Sequence, residues 1–319
     1  MKALQSDSFV QGMVSIVITT YNRAPFIREC VDSALAQDYS SFEVIIVDDG
    51  STDETRQICE RYGDRVRYFW KPNGGAASAK NFGIMKMKGE WLKVLDSDDA
   101  VERDALTTFM KWAEKLRSEW LFCDCLEVDS NGRLFRTRSP KSRLVGDDLV
   151  RALWSKWNPS LRRRLPFSYS ALSGTGFVRR SLLFRIGLLD ERLAVFEDWE
   201  WALRAALVHG CFGAYIPLPL YRYRRHPGQL TAWTWEMQRE YELRARMVVK
   251  SRMAGLAEGS KLLGYYRKDA RSLRRTYRPL IALWGWVKSP SFQARAQFWG
   301  WTIAPSLMDR IFWGANPPL

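Results

Sequence analysis

Residues 91–99 read Trp-Leu-Lys-Val-Leu-Asp-Ser-Asp-Asp, a run typical of a buried strand that leads directly into three carboxylates, Asp96, Asp98 and Asp99. Carboxylates this close together raise the cost of ionising one another, and burial raises it further. A positive group is therefore expected beside them. Hard carboxylate oxygens suit Mg²⁺ or Mn²⁺ that is shared with substrate phosphates. The alternative interpretation is a solvated, Asp-rich turn after a strand.

The composition is that of a globular protein with an anionic partner. The chain has 319 residues, 46% hydrophobic and 26% charged, with a net charge of +14. This length fills one large domain, or one domain with an appendage, and the charge predicts nucleic acid, a membrane surface or a phosphorylated substrate as partner. The five cysteines lack zinc-like spacing and are interpreted as reduced packing residues. Residues 1–12 show no signal peptide, and no apolar run is long enough to span a membrane, so a cytoplasmic protein is expected.

Strands and helices alternate along the first hundred residues. The predicted order is strand 14–18, helix 25–36, strand 42–47, a helix capped by Ser51 or Thr52, strand 66–70, helix 76–86 and the strand of 91–99. This order predicts an α/β fold with a mostly parallel sheet flanked by helices. In such sheets ligands bind beyond the carboxyl ends of the strands.

Polar residues follow four of these strands and should meet at one edge of the sheet. They are Thr20 and Tyr21, Asp48, the loop at Asn73, and the acids from Asp96 to Asp99. Four such clusters at one edge favour a binding site over an accident of composition.

The chemistry of these side chains fits a nucleotide sugar. The Asp48 carboxylate can accept the ring N–H of uracil, and equally that of thymine or guanine. Tyr21 can stack on a base. Asp96 and Asp98 can hold ribose and a divalent cation that neutralises a diphosphate. The sequence has no Gly-x-Gly-x-x-Gly after the first strand and no Gly-Lys-Ser/Thr, which disfavours a nicotinamide dinucleotide and a P-loop ATPase.

Four motifs in the same order and spacing resemble the inverting glycosyltransferases of family 2, which have the GT-A fold. They are Val-Ser-Ile-Val-Ile-Thr-Thr-Tyr-Asn-Arg (14–23), Val-Asp-Asp-Gly-Ser-Thr-Asp (47–53), Asn-Gly-Gly-Ala-Ala-Ser-Ala-Lys-Asn-Phe-Gly (73–83) and Asp-Ser-Asp-Asp (96–99). The resemblance spans roughly residues 12–230. It implies a nucleotide-diphospho-sugar donor, a divalent metal and a single displacement at the anomeric carbon.

The resemblance also implies roles for individual residues on the donor side. The expected donor contacts are Thr20, Tyr21 and Asp48 at the base, Asp96 at the ribose, and Asn73 and Lys80 nearby. Asp98 is the expected metal ligand. The family usually has arginine where Lys80 stands, and lysine keeps the charge but loses the bidentate fork.

The acceptor side should supply a base, because displacement with inversion needs a carboxylate near the acceptor hydroxyl. The segment 196–201, Phe-Glu-Asp-Trp-Glu-Trp, resembles the family's Glu-Asp motif just before a helix. It makes Asp198 the expected catalytic base, with Glu197 as the second choice. The alternative interpretation is a helix N-terminus enriched in acids. The segment 172–176, Leu-Ser-Gly-Thr-Gly, resembles the stretch under the sugar pocket, or is an ordinary turn.

A basic segment follows at 221–228, Tyr-Arg-Tyr-Arg-Arg-His-Pro-Gly. It resembles the family's Tyr-Arg-x-His segment, which closes over the diphosphate. Arg224 is expected to offset charge on the departing nucleoside diphosphate. His226 is expected to contact the phosphate or the metal, or else to be an ordinary packing residue.

Two regions are interpreted from composition. Residues 120–137 predict a hairpin with an Asn-Gly turn, and the basic residues 138–168 predict a lid or acceptor-site loop.

We expect the catalytic domain at 12–235, with a donor half (12–125) and an acceptor half (126–235). Residues 236–319 are basic and Trp-rich: 239–278 hold 12 Lys/Arg against 4 Asp/Glu. This composition predicts helices attached to an anionic membrane, on the inner face of the cell membrane, or alternatively helices packed on the domain or on another subunit.

The sequence therefore predicts a metal-dependent inverting glycosyltransferase that uses Mn²⁺ or Mg²⁺. The expected donor carries UDP or dTDP, and the expected acceptor is a glycan or a lipid-linked glycan. A nucleic-acid binder is disfavoured because no recognised motif accompanies the charge. A nucleotidyltransferase that makes a nucleotide sugar is the alternative, although such enzymes usually carry a Gly-rich basic loop where this chain has Thr-Thr-Tyr-Asn-Arg.

Overall fold

A mixed nine-stranded sheet with helices on both faces organises the described part of the chain. The computed structural model describes residues 9–138, 172–193, 197–209, 211 and 213–229. The strands are β1 (Val10–Thr20), β2 (Phe42–Asp48), β3 (Arg67–Trp70), β4 (Gly89–Asp96), β5 (Ala100–Val101), β6 (Trp120–Val128), β7 (Leu134–Arg138), β8 (Gly176–Arg179) and β9 (Ala214–Arg224). The α-helices are α1 (Ile27–Leu35), α2 (Thr55–Glu60), α3 (Ala76–Lys86), α4 (Ala105–Leu116), α5 (Arg180–Ile186) and α6 (Glu197–His209).

The sheet has a parallel half and a mixed half. Its order is β3-β2-β1-β4-β8-β6-β9-β5, with β7 paired to β6. Strands β1 to β4 pair in parallel, and β1 and β2 carry the β-branched runs typical of buried parallel strands. The predicted α/β fold, with a sheet flanked by helices, is confirmed, and this half is the parallel part of the sheet. Beyond β4 the pattern mixes, because β8 runs antiparallel to both β4 and β6, and β6 and β7 form the predicted hairpin.

The core lies in two layers because successive residues of each strand point to opposite faces. On one face Ile16, Ile18 and Ile46 pack with α1 and α4, together with Cys123 and Cys125. On the other face the strands pack against α3, α5 and α6, with Val17, Ile45, Val47, Leu183 and Trp201 among the buried residues. Both layers cover the parallel half, which leaves the carboxyl ends of its strands as the open edge.

Three helices begin at residues other than those predicted. Helix α1 begins at Ile27, two residues after the predicted start. Helix α2 begins at Thr55, so Asp53 and Glu54 precede it instead of filling its first turn. The Asp53 carboxylate accepts hydrogen bonds from the N–H of Thr55 and of Ala24, and so belongs to the turn before the helix. Helix α6 begins at Glu197, so the acids expected just before a helix form its first turn.

Several predictions concern residues outside the described ranges. They are the loop at 138–168, apart from the end of β7, and the basic, Trp-rich region at 236–319 with its membrane attachment. Among the helices that the structure describes, none is both long and apolar enough to cross a bilayer.

Candidate active site

The strand register brings the predicted donor-side residues to one edge of the sheet. Thr20 of β1 lies beside Asp48 of β2, which lies beside Trp70 of β3. On the other side of β1, Thr19 lies beside Asp96 at the end of β4. The polar clusters that the sequence placed after separate strands are therefore neighbours in space.

Lys80 joins this edge to the first turn of α6. Its ammonium lies 2.9 Å from Glu197 Oε1 and 3.8 Å from Asp96 Oδ1. Burial by itself would lower the pKa of Lys80, but the charges of Glu197, Asp96 and Asp198 outweigh it and raise the pKa above its ordinary value. Lys80 thus stays charged and links the sheet edge to the turn that carries the predicted base, Asp198.

The environment of Asp96 favours the protonated form of its carboxyl group. Burial raises the pKa of this carboxyl above its usual range; the charge of Lys80 opposes the shift, and those of Asp98 and Glu197 add to it. A carboxyl in this balance responds to any further positive charge at the edge of the sheet.

Two groups from distant parts of the chain converge on one oxygen of Asp98. His226 Nε2 lies 3.1 Å from Asp98 Oδ2, and Arg23 Nε lies 3.4 Å from the same oxygen. The His226 ring packs against Phe26 of the segment before α1, with ring centroids 4.5 Å apart. The predicted metal ligands Asp98 and His226 are therefore in contact.

These two ligands fit a Mn²⁺ or Mg²⁺ ion whose other positions are taken by donor phosphates and water. A carboxylate oxygen and an imidazole nitrogen lie 3.1 Å apart here, and Mn²⁺ accepts both donor types. Within the described ranges no group of three or more His, Cys, Asp or Glu residues is arranged to hold a metal. The buried hydroxyl of Thr20, at the same edge, has no hydrogen-bond partner there, which marks a place for a further polar group.

Asp99 and Arg224 hold the acidic turn in place. The buried Asp99 carboxylate accepts hydrogen bonds from the Tyr221 hydroxyl and, at 2.7 Å, from the backbone N–H of Arg224. Burial, with the charges of Asp98 and Asp96, raises the pKa of Asp99 well above its usual range. Asp98 and Asp99 thus differ, since Asp98 faces Arg23 and His226 whereas Asp99 anchors β9.

Arg224, the residue expected to offset charge on the departing diphosphate, makes several contacts within the chain. Its guanidinium is bound to Glu29, at 2.6 Å, to the carbonyl of Asp98, at 2.9 Å, and to the carbonyl of Ser130, at 3.1 Å. The side chain is buried. Through these contacts Arg224 supports the acidic turn and the β6–β7 hairpin, and its contact with a diphosphate stays a prediction.

The predicted base pocket has a buried acid beside an exposed ring. The Asp48 carboxylate is buried and accepts hydrogen bonds from the Tyr68 hydroxyl, at 2.7 Å, and the N–H of Ser51, at 2.8 Å. A carboxylate offers about four acceptor positions, so these two bonds leave room for a base N–H. Tyr21 lies at the same edge and is 46% exposed.

The loop at Asn73 owes its shape to Asp49, which the sequence reading passed over. The Asp49 carboxylate accepts from the N–H groups of Gly74 and Gly75, at 3.0 and 2.7 Å, and pairs with Lys71 at 2.5 Å. The available signal was the position of Asp49 between Asp48 and Gly50, at the end of a predicted strand.

Lys93 is the second residue that the sequence reading missed. It is fully buried, donates a hydrogen bond to the carbonyl of Gly174 and lies 3.4 Å from that of Gly176. The Tyr221 ring packs so closely on Gly174 that a Cβ there would lie 1.8 Å from it. Lys93 and Tyr221 therefore fix the turn predicted to lie under the sugar. The sequence feature that could have revealed this role is the position of Lys93 within an otherwise apolar strand segment, residues 91–95.

The sequence itself decides the family. A sequence model described as Glycosyl transferase family 2 matches residues 15–187, more than half of the chain. The chain belongs to glycosyltransferase family 2. An uncharacterized glycosyltransferase of Rickettsia typhi is 33% identical over 233 residues, which cover 72% of this chain and 69% of the relative. The uncharacterized glycosyltransferase EpsJ of Bacillus subtilis is 29% identical over 250 residues, 72% of this chain and 68% of EpsJ.

Solved structures of glycosyltransferases share the fold of this family 2 chain. Residues 1–349 of S. aureus TarS, in complex with UDP-GlcNAc, match 84% of this chain and 74% of that one at 20% identity, with a TM-score of 0.63. The longer TarS chain is covered to 44% of its length. The mannosyltransferase PcManGT of Pyrobaculum calidifontis, in complex with GDP-Man and Mn²⁺, matches 99% of this chain and 93% of that one at 16% identity, with a TM-score of 0.52.

The comparisons confirm three expectations. Membership of family 2, the GT-A fold and glycosyltransferase activity are confirmed, which rejects the nucleotidyltransferase alternative. The roles of individual residues stay predictions.

Proposed function

We propose that this chain transfers a sugar, with inversion, from a nucleoside-diphosphate donor to a hydroxyl of a glycan or lipid-linked glycan. The observation that carries the proposal is the position of Lys80 between Asp96 and Glu197. It brings the helix turn that holds Asp198 next to the acidic edge where the donor is expected. A transferase needs these two halves, donor site and base, in one place.

Asp198 is the proposed base. Its side chain is half-buried, whereas the neighbouring Glu197 is buried and paired with Lys80. The acceptor oxygen attacks the anomeric carbon as the bond from that carbon to the diphosphate oxygen breaks. Asp198 takes the hydroxyl proton, and the nucleoside diphosphate leaves with the bonding electrons. Glu197, the second choice, is instead assigned to positioning.

The charge of the departing diphosphate needs an offset at the other end of the site. Asp98 and His226 are the proposed holders of a Mn²⁺ or Mg²⁺ ion, and the chemistry that this ion supplies when bound is neutralisation of the diphosphate. Asp96 lies between these ligands and Lys80, in the position proposed for the ribose contact.

UDP or dTDP is the proposed donor nucleotide. The support is the pairing of a buried acceptor, Asp48, with an exposed aromatic ring, Tyr21, at one edge of the sheet. A ring N–H flanked by carbonyls suits a carboxylate, and a flat base suits a tyrosine face. TarS, which shares the fold, binds UDP and UDP-GlcNAc in its solved complexes.

A panel of nucleotide sugars tests the proposed function. The purified chain is incubated with each donor and Mn²⁺, and release of nucleoside diphosphate is measured separately from release of pyrophosphate. We expect nucleoside diphosphate from one UDP or dTDP sugar, and loss of this release in Asp98→Asn. Pyrophosphate as the product, or no release and no donor binding across the panel, would contradict the proposal.

We also propose that residues 236–319 attach the enzyme to an anionic membrane surface, on the inner face of the cell membrane. The support is the basic excess over 239–278 followed by five tryptophans, at 284, 286, 299, 301 and 313. Flotation with anionic liposomes, with and without residues 236–319, tests this. Equal flotation of both forms would contradict it.

A further inference from the structure

The guanidinium of Arg23 joins three segments of the chain at the acidic edge. Its Nε faces Asp98 Oδ2 at 3.4 Å, and one terminal nitrogen donates to the carbonyl of Gly228 at 3.2 Å. The other terminal nitrogen donates to the carbonyls of Asn22 and Tyr21, at 3.1 and 3.4 Å. All three nitrogens are thus engaged, and two of them bind groups that lie far away in sequence.

The backbone that presents Arg23 is held rigidly by the turn between β2 and α2. The N–H of Arg23 donates to Thr55 Oγ1 and the N–H of Asn22 to Ser51 Oγ, both at 2.9 Å. In return, Asn22 Oδ1 accepts from the N–H of Thr52 at 2.8 Å. Asn22 has a φ of 51°, a left-handed conformation that these bonds stabilise. The arginine is therefore pre-organised toward Asp98.

Arg23 lies beside Asp98, where the bound metal is also expected to supply positive charge. It shares Asp98 Oδ2 with His226, the second proposed metal ligand. The three acids of this turn bring several negative charges together, and in the chain alone Arg23 supplies the compensating charge at Asp98. Because Asp98 is largely shielded from solvent, with 15% of its side chain exposed, the pair is screened less than a surface ion pair.

We propose that Arg23 is the internal counter-ion of Asp98 and competes with the divalent cation for this carboxylate. The inference rests on the proposed function, which places a cation at Asp98. Cation binding then releases Arg23 from Asp98 and weakens its tie to the segment 226–229, whose Gly228 carbonyl it also holds. Arg23 sets the metal affinity of the site from outside the set of metal ligands.

Mn²⁺ binding to the full chain, without nucleotide, tests this directly. Free Mn²⁺ is measured by electron paramagnetic resonance across a titration of wild type, Arg23→Met and Arg23→Lys. Loss of one charge-assisted contact predicts that Arg23→Met binds Mn²⁺ about tenfold more tightly than wild type. Arg23→Lys, which keeps the charge without the fork, should lie between the two.

Two further variants separate the local effect from net charge. Arg28→Met removes the same charge from an exposed position on α1 and should leave Mn²⁺ affinity unchanged. Asp98→Asn should abolish the gain when combined with Arg23→Met. Equal Mn²⁺ affinity of wild type and Arg23→Met, a weaker affinity of the variant, or no binding by either would overturn the proposal. Thermal melting shows that each variant is folded; if Arg23→Met is not, Arg23→Lys carries the test.

The result of the Mn²⁺ titration can be distinguished from the result of the donor panel that tests the proposed function. If no nucleotide sugar is turned over but Arg23→Met still binds Mn²⁺ more tightly, the proposed reaction fails and the competition stands. If turnover is observed but the Mn²⁺ affinities are equal, the reaction stands and the competition fails.

Discussion

Lys80 and Glu197 are separated by 117 positions in the chain and form an ion pair 2.9 Å long, with side chains only 7% and 6% exposed. Helix α3 carries the lysine, directly after the Asn73 loop, and the first turn of α6 carries the glutamate. A buried pair of this kind contributes little net stability over an apolar pair, but separating its partners leaves a buried charge uncompensated and is strongly destabilising. Its consequence here is a fixed position for Asp198 relative to the sheet edge.

Replacing Lys80 should therefore destabilise the fold and disturb catalysis together. Lys80→Met leaves the Glu197 charge buried without its partner and should lower the free energy of unfolding by about 3–5 kcal/mol. Lys80→Arg keeps the charge and should recover most of this loss. Urea unfolding at neutral pH measures both. If Lys80→Met unfolds like wild type, the pair has no positioning role.

Lys93 should make stability depend on pH. Burial lowers the pKa of Lys93 to about 8, from an ordinary value of 10.5. Because the unfolded chain holds this proton more tightly, the folded state is penalised below pH 8, and the penalty is relieved as the pH rises from 8 to 10.5. The free energy of unfolding should thus rise in this window, by up to about 3 kcal/mol.

The variant Lys93→Met isolates this effect. It has no proton to release, so the difference in unfolding free energy between wild type and variant should move in favour of wild type from pH 8 to pH 10. Other groups that titrate there, such as tyrosines, cancel in the difference. A difference that stays constant across the window would show that Lys93 is not held at a depressed pKa.

The contact between Gly174 and Tyr221 predicts a steric effect. A Cβ on Gly174 would lie 1.8 Å from the Tyr221 ring, whereas one on Gly228 would meet its nearest neighbour at an ordinary 3.5 Å. Gly174→Ala should lower the free energy of unfolding by about 3 kcal/mol, the upper range for overpacking. Gly228→Ala should change it little. Thermal melting of the two variants provides the comparison, and equal melting temperatures would contradict the packing described.

Tyr21 should contribute to nucleotide binding through stacking. Its ring is exposed at the edge beside Asp48, and stacking of a base on an aromatic ring is worth about 1–3 kcal/mol. Tyr21→Ala should weaken UDP binding about tenfold by isothermal titration, and Tyr21→Phe should bind nearly as wild type. Unchanged UDP affinity in Tyr21→Ala would show that the base binds elsewhere than at this edge.

The sequence predicted the parallel half of the fold well, because β1 and β2 are β-branched runs and strand and helix patterns alternate along the first hundred residues. It also predicted that Thr20, Asp48 and Asp96 would meet, since the ends of parallel strands share an edge. The sequence did not predict the strand order of the mixed half of the sheet. The place of β8 between β4 and β6 depends on tertiary pairing of four residues, which leaves no local pattern.

The partners of individual side chains could not be predicted either. Arg224 matches a motif for phosphate contact, but its donors are engaged by Glu29 and by the carbonyls of the acidic turn. Glu197 looks like an alternative base until its pairing with Lys80 is seen. Motifs specify residue types and spacing, whereas these contacts join segments about 100 or more positions apart.

The most direct measurement of the central claim, that donor site and base meet at the acidic edge, is made on Asp198→Asn. Donor binding is measured by isothermal titration and transfer by the rate of nucleoside diphosphate release with acceptor present. We expect an unchanged dissociation constant for the donor and a transfer rate lower by about 10²–10⁴, the range for loss of a general base. Transfer at the wild-type rate would contradict it.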